Sequence, residues 1–147
     1  MEKIVVGIAE GKTAVEQQVL ISYALGSCVG VCLYDKSRKI AGMVHVILPE
    51  KAVAVNRENP YKFGDEGVRR LIQEMERLGA EKKRLTAKIA GGAKMFETGR
   101  PEWEIGAQNV ASVKKTLAEE GIRLIAEDTG KNYGRTVSFY AGDGRLE

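Results

Sequence analysis

The run Val29-Gly30-Val31-Cys32-Leu33-Tyr34, then Asp35-Lys36-Ser37-Arg38, then Lys39-Ile40-Ala41-Gly42-Met43-Val44-His45-Val46-Ile47 decides the reading of this chain. Two β-rich runs flank a short polar turn, the pattern of a β-hairpin. Pro49 ends the second run. Pairing Tyr34 with Lys39 sets Leu33 opposite Ile40, Val31 opposite Gly42, Val29 opposite Val44 and Cys28 opposite His45. In that register valine, leucine and isoleucine fall on one face, as a buried face requires. The other face carries Cys28, Gly30, Cys32, Ala41, Met43 and His45.

Further strands are expected over Ile4–Ala9, Val19–Tyr23, Leu85–Ile89, Ile122–Glu127 and Thr136–Tyr140. Helical spacing of Val68, Leu71, Ile72, Met75 and Leu78 predicts a helix from Asp65 to Leu78, with Gly79 as its stop. A second helix is expected from near Gly106 to Glu120, with Val110, Val113 and Leu117 inward and Gly121 as its stop. Residues Glu50–Pro60 read as an exposed loop. The strands lack regular βαβ alternation. The expected fold class is therefore α+β: mixed β-sheets packed with a sandwich-like core and two flanking helices. No linker or repeat divides the chain, so residues 1–147 are expected to form one domain.

Composition narrows the function classes. Net charge is +3, from 23 basic and 20 acidic side chains. So small and scattered an excess argues against nucleic acid as a partner. No apolar run approaches the roughly 20 residues that span a bilayer, so no membrane insertion is expected. The opening Met1-Glu2-Lys3-Ile4-Val5-Val6 lacks the long apolar stretch of a signal peptide, and a cytoplasmic location is expected. Four strand steps would separate Cys28 and Cys32 by about 13 Å. A disulfide needs a Cα separation of about 4.4–6.8 Å, so both thiols are expected free. With one histidine and two cysteines, a zinc site is poorly supported and no metal is expected.

Cys28 and His45 together form a minimal kit for covalent acyl transfer. A free thiol is mostly protonated at neutral pH; a neighbouring imidazolium stabilises the thiolate and can later protonate a leaving amine. Backbone N–H groups near Ser27 and Cys28 are candidate oxyanion donors. Ser22 is the local candidate to orient the imidazole. Against this stands the plain alternative that a strand cysteine is a small buried apolar residue. Cys32, deeper in its strand and without a base, takes that alternative. The Gly91-Gly92 pair lacks the Lys-Ser/Thr ending of a phosphate-binding loop, and is read instead as a tight strand-to-loop turn near the site. Met95 and Phe96 read as core or as partner surface.

Leu25-Gly26-Ser27-Cys28-Val29-Gly30-Val31-Cys32, with His45-Val46-Ile47-Leu48-Pro49, resembles the CheD family of chemoreceptor glutamine deamidases. The likeness continues through Ala87-Lys88-Ile89-Ala90-Gly91-Gly92-Ala93-Lys94-Met95-Phe96, Ile105-Gly106-Ala107-Gln108-Asn109-Val110 and Ala126-Glu127-Asp128-Thr129-Gly130. The resemblance implies a cysteine-hydrolase fold shared with toxin deamidases. It implies a protein-glutamine glutaminase in which Cys28 is the nucleophile and His45 the general base and acid. The family has threonine where this chain has Ser22, and its usual second glycine after Gly130 is Lys131 here. The implied substrates are glutamines on the cytoplasmic helices of methyl-accepting chemotaxis receptors, and the same chemistry extends to glutamyl methyl esters. No cofactor is implied. The resemblance also carries an alternative role, docking on a CheC-type phosphatase and stimulating its action on CheY.

Overall fold

The hairpin forms at the centre of a five-stranded sheet. The computed structural model describes residues 1–50, 59–94 and 104–147. Its strands are β1 (Glu2–Val5), β2 (Gly11–Val15), β3 (Gln18–Leu25), β4 (Val29–Asp35), β5 (Ile40–Val46), β6 (Thr86–Gly91), β7 (Arg123–Thr129) and β8 (Arg135–Tyr140). Its two α-helices are α1 (Gly64–Arg77) and α2 (Ile105–Glu119). The larger sheet has the order β2-β5-β4-β6-β7, and a three-stranded sheet has the order β1-β3-β8. Both are mixed, since β1–β3 and β6–β7 pair in parallel and the remaining neighbours antiparallel. The α+β class with two helices is thus observed.

Three layers follow from strand alternation. Val29, Val31, Leu33, Val44 and Val46 point from the larger sheet onto Val68, Leu71, Ile72 and Met75 of α1 and onto Val113 and Leu117 of α2. Burying one such side chain fully contributes about 1.5–3 kcal/mol. Helix α1 fits closely because Gly42 of β5 has no Cβ; one built there would lie 2.7 Å from the Met75 sulfur. The opposite face of the larger sheet carries Cys32, Tyr34, Ala41 and Met43. These pack against Leu20, Leu25, Val137 and Phe139 of the smaller sheet. Tyr34 and Phe139 meet edge to face, with centroids 6.1 Å apart.

Several boundaries and one register differ from expectation. β1 ends at Val5, ahead of a turn in which Glu10 N–H donates to Gly7 O and Ala9 holds φ +58°. β2 has no counterpart among the expected strands: it is a short edge strand, Gly11-Lys12-Thr13-Ala14-Val15, with only Ala14 buried, so it gives no alternating apolar signal. The hairpin loop is Lys36–Lys39 rather than Asp35–Arg38, and Tyr34 pairs with Ala41, Leu33 with Gly42 and Val29 with Val46. Every pair is shifted by two residues, so each side chain keeps its face while Cys28 loses its place opposite His45. Asp35 explains the shift. Its fully buried carboxylate accepts from Arg84 Nη2 at 2.8 Å, Glu81 N–H at 3.0 Å and Arg38 N–H at 3.3 Å. These bonds hold Asp35 in the ladder opposite Ile40.

One βαβ unit is present, β6–α2–β7, with its strands in parallel. Most of the expected Glu50–Pro60 loop, and the expectations for Met95 and Phe96, lie outside the described residues. No described helix is long and apolar enough to cross a membrane.

Candidate active site

Three residues link β3 to β4 and so cross from the smaller sheet to the larger one. They are Gly26, Ser27 and Cys28. The crossing is prepared by a bulge in β3: pairing with β8 slips between Ser22 and Leu25, and Ala24 takes φ +53°. Their three successive carbonyls are each held from outside the hairpin. Ala93 N–H donates to Gly26 O at 2.8 Å, Asn109 Nδ2 to Ser27 O at 3.0 Å and Gly92 N–H to Cys28 O at 2.8 Å. Gly91 permits this approach. It holds φ +109°, and a Cβ there would lie 2.2 Å from the Cys28 carbonyl oxygen. The Gly91-Gly92 pair is therefore a tight turn against the Cys28 backbone, as its sequence suggested.

His45 projects from β5 into the space between the sheets and is 2% exposed. Gly30 stands directly opposite it. The ladder ends at Val29–Val46, so Cys28 lies one residue beyond its end, on the loop that precedes β4. The expected pairing of Cys28 directly with His45 is thus corrected: Gly30 takes the place opposite His45, and Cys28 stands outside the ladder.

Ser22 reaches His45 from the other sheet. Its Oγ lies 2.9 Å from His45 Nδ1 and 2.9 Å from Val6 O. A carbonyl can only accept, so the single hydroxyl proton goes to Val6 and Nδ1–H donates to Oγ. That tautomer leaves Nε2 with a lone pair. Nε2 is buried and without a hydrogen-bond partner among the described residues. Burial pushes the imidazole pKa down, against an opposing pull from the Val6 carbonyl. Burial likewise pushes the Cys28 thiol up, offset in part by its own backbone N–H, which faces the sulfur. Both directions favour the neutral pair at rest.

Cys28 is half-buried and Cys32 fully buried, and both are free. Burial drives the Cys32 thiol strongly upward, with Lys88 opposing. Cys32 lies by a cavity lined also by Tyr34, Arg84 and Lys88, with no imidazole in its lining. Among the described residues no group of three or more His, Cys, Asp or Glu side chains could hold a metal ion.

Sequence reasoning assigned no role to Asn109 or the Val6 carbonyl. Asn109 left a signal: it lies four residues before Val113 and so falls on the apolar stripe of α2, where a polar side chain calls for a partner.

The molecule is an α+β protein with a bonded imidazole and hydroxyl between its two sheets and a thiol on the loop that joins them. Residues 47–147 match the family described as "CheD chemotactic sensory transduction". Relatives extend the match over the thiol–imidazole segment. One is the "Probable chemoreceptor glutamine deamidase CheD" of Caldanaerobacter subterraneus subsp. tengcongensis, 46% identical over 96% of this chain and 88% of the relative. The protein of that same name from Clostridium novyi is 45% identical over 99% of this chain and 91% of the relative. The solved structure of Bacillus licheniformis hypothetical protein YfiH aligns with a TM-score of 0.49 at 17% identity, over 81% of this chain and 49% of that one. The chain belongs to the CheD family.

Proposed function

We propose that this chain hydrolyses the side-chain amide of glutamine residues on chemoreceptors, converting them to glutamate, with Cys28 as nucleophile, His45 as general base and acid, and Ser22 as its orienting partner. One observation carries the reading: the Ser22–His45 bond at 2.9 Å, which leaves a buried Nε2 with no partner among the described residues, on the inter-sheet side against which Cys28 also packs. The names of the full-length relatives supply the substrate class.

The chemistry runs in two halves. Cys28 Sγ attacks the glutamine carboxamide carbon while Nε2 takes the thiol proton. The tetrahedral oxyanion forms beside the N–H groups of Ser27 and Cys28, our candidate donors. Its collapse breaks the C–N bond; the nitrogen takes the proton from Nε2 and leaves as ammonia. Water then attacks the thioester and gives a proton to Nε2. The C–S bond breaks, the proton returns to sulfur, and a glutamate carboxyl is released. Neutral resting groups suit this cycle, because the imidazole must begin as a base.

The test is to incubate the purified protein with a chemoreceptor cytoplasmic fragment and to follow ammonia release with peptide mapping. Stoichiometric ammonia with glutamine-to-glutamate conversion at discrete positions is expected. An unchanged fragment overturns the reading.

A further inference from the structure

We infer that Asn109 is a positioning residue that holds the Cys28 loop in line with His45; the inference rests on the roles proposed above for those two residues. The β4–β5 ladder ends at Val29–Val46. Beyond that pair the two chains part. Ser27 and Gly26 turn back toward β3, while Ile47 N–H donates to Lys62 O at 2.9 Å. The ladder therefore stops one residue short of Cys28. Asn109 closes the gap. Its single Nδ2 donates both to Ser27 O at 3.0 Å and to Ile47 O at 3.2 Å. One proton thus goes to the residue before the thiol, and the other to the strand bearing the imidazole, two residues past it.

The other two clamps on this loop do not span the gap. Ala93 and Gly92 hold Gly26 and Cys28 from the β6 end alone. The bridge needs two protons on one atom at the end of a short stem, which an asparagine amide supplies and a carboxylate or hydroxyl does not. It is also costly. Asn109 is fully buried, and its Oδ1 has no partner among the described residues. A leucine in the same apolar stripe would fill the space without that orphan acceptor, so packing alone does not account for the amide.

Iodoacetamide alkylation of Cys28 against pH tests this without any receptor. A thiol beside a base reacts through an alkaline limb and through a shoulder at neutral pH that depends on the imidazole. In Asn109→Leu the shoulder is expected to fall about tenfold, the scale set by a small misplacement of reacting groups. The alkaline limb should stay, and a His45→Gln background should show no further loss. Equal loss on both limbs, equal loss in both backgrounds, or an intact shoulder overturns the inference. If Asn109→Leu does not fold, Asn109→Ala, which only removes atoms, carries the same comparison. A wild-type protein that shows the shoulder but leaves receptor glutamine unchanged sinks the proposed function and not the positioning role. Receptor deamidation with Asn109-independent alkylation does the reverse.

Discussion

Ser22 and His45 belong to different sheets, yet Ser22 Oγ sits 2.9 Å from His45 Nδ1 and passes its own proton to the Val6 carbonyl at 2.9 Å. The relay ties the imidazole to β3 and to the residue just past β1. Ser22→Ala removes both bonds and frees the ring to turn or change tautomer. It is expected to lower kcat for receptor deamidation by roughly 100-fold, the lower end of the span of about 10²–10⁴ for a general acid–base contribution. Ser22→Thr keeps the hydroxyl and should retain most of the activity. Steady-state rates on one receptor fragment decide it: equal activity in the alanine and wild-type proteins would remove Ser22 from the site.

How much of this is legible in the sequence differs from element to element. The helices are, because Val68, Leu71, Ile72 and Met75 repeat at helical spacing and all lie buried. The faces of the hairpin are too, since alternation fixes which residues share a side. The register is not. A two-residue slip leaves every side chain on its face, so hydrophobic pattern cannot distinguish the two pairings. What decides it is buried Asp35, whose partners, the Glu81 backbone N–H and the Arg84 guanidinium, come from a distant part of the chain. β2 escapes notice because an edge strand with one buried residue carries no pattern. Ser22 stands out as a nearby hydroxyl, but its second partner, a backbone carbonyl, is invisible in side-chain letters.

Gly91 predicts a sharp steric penalty. Its φ of +109° and the 2.2 Å from a built Cβ to the Cys28 carbonyl oxygen leave no room for a side chain. Gly91→Ala is expected to displace the nucleophile loop, lowering the melting temperature and abolishing deamidation together. Differential scanning calorimetry with the receptor assay tests this; an alanine variant of wild-type stability and rate would be incompatible with the packing of that turn.

The free protein is expected to hold Cys28 as a thiol rather than as half of a preformed ion pair. Burial raises its pKa and lowers that of His45. The main limb of iodoacetamide alkylation should therefore rise above the ordinary thiol range, with the smaller neutral shoulder lost in His45→Gln. A main limb centred below about pH 7, as in ion-paired catalytic thiols, would show the thiolate to be preformed.

His45 also links stability to pH. Its folded pKa is depressed by burial, while the unfolded imidazole titrates near 6.5. Below about pH 6.5 the unfolded chain binds the proton more readily, so stability is full above that value and falls as pH drops through it. The stability difference between wild type and His45→Gln should shift against the wild type between pH 7 and pH 5, a window set by the unfolded pKa of about 6.5. Denaturant titrations at several pH values measure it. A difference that moves in favour of the wild type on acidification would reverse the sign assigned here.

The proposed mechanism requires that Cys28, and not the buried Cys32, attack receptor glutamine. Peptide-resolved mass spectrometry of a receptor cytoplasmic fragment decides this, after incubation with wild type, Cys28→Ala or Cys32→Ala, each checked for an unchanged melting profile. Glutamine-to-glutamate conversion is expected with the wild-type and Cys32→Ala proteins, and none with Cys28→Ala. Conversion that persists in folded Cys28→Ala would refute the assignment of the nucleophile.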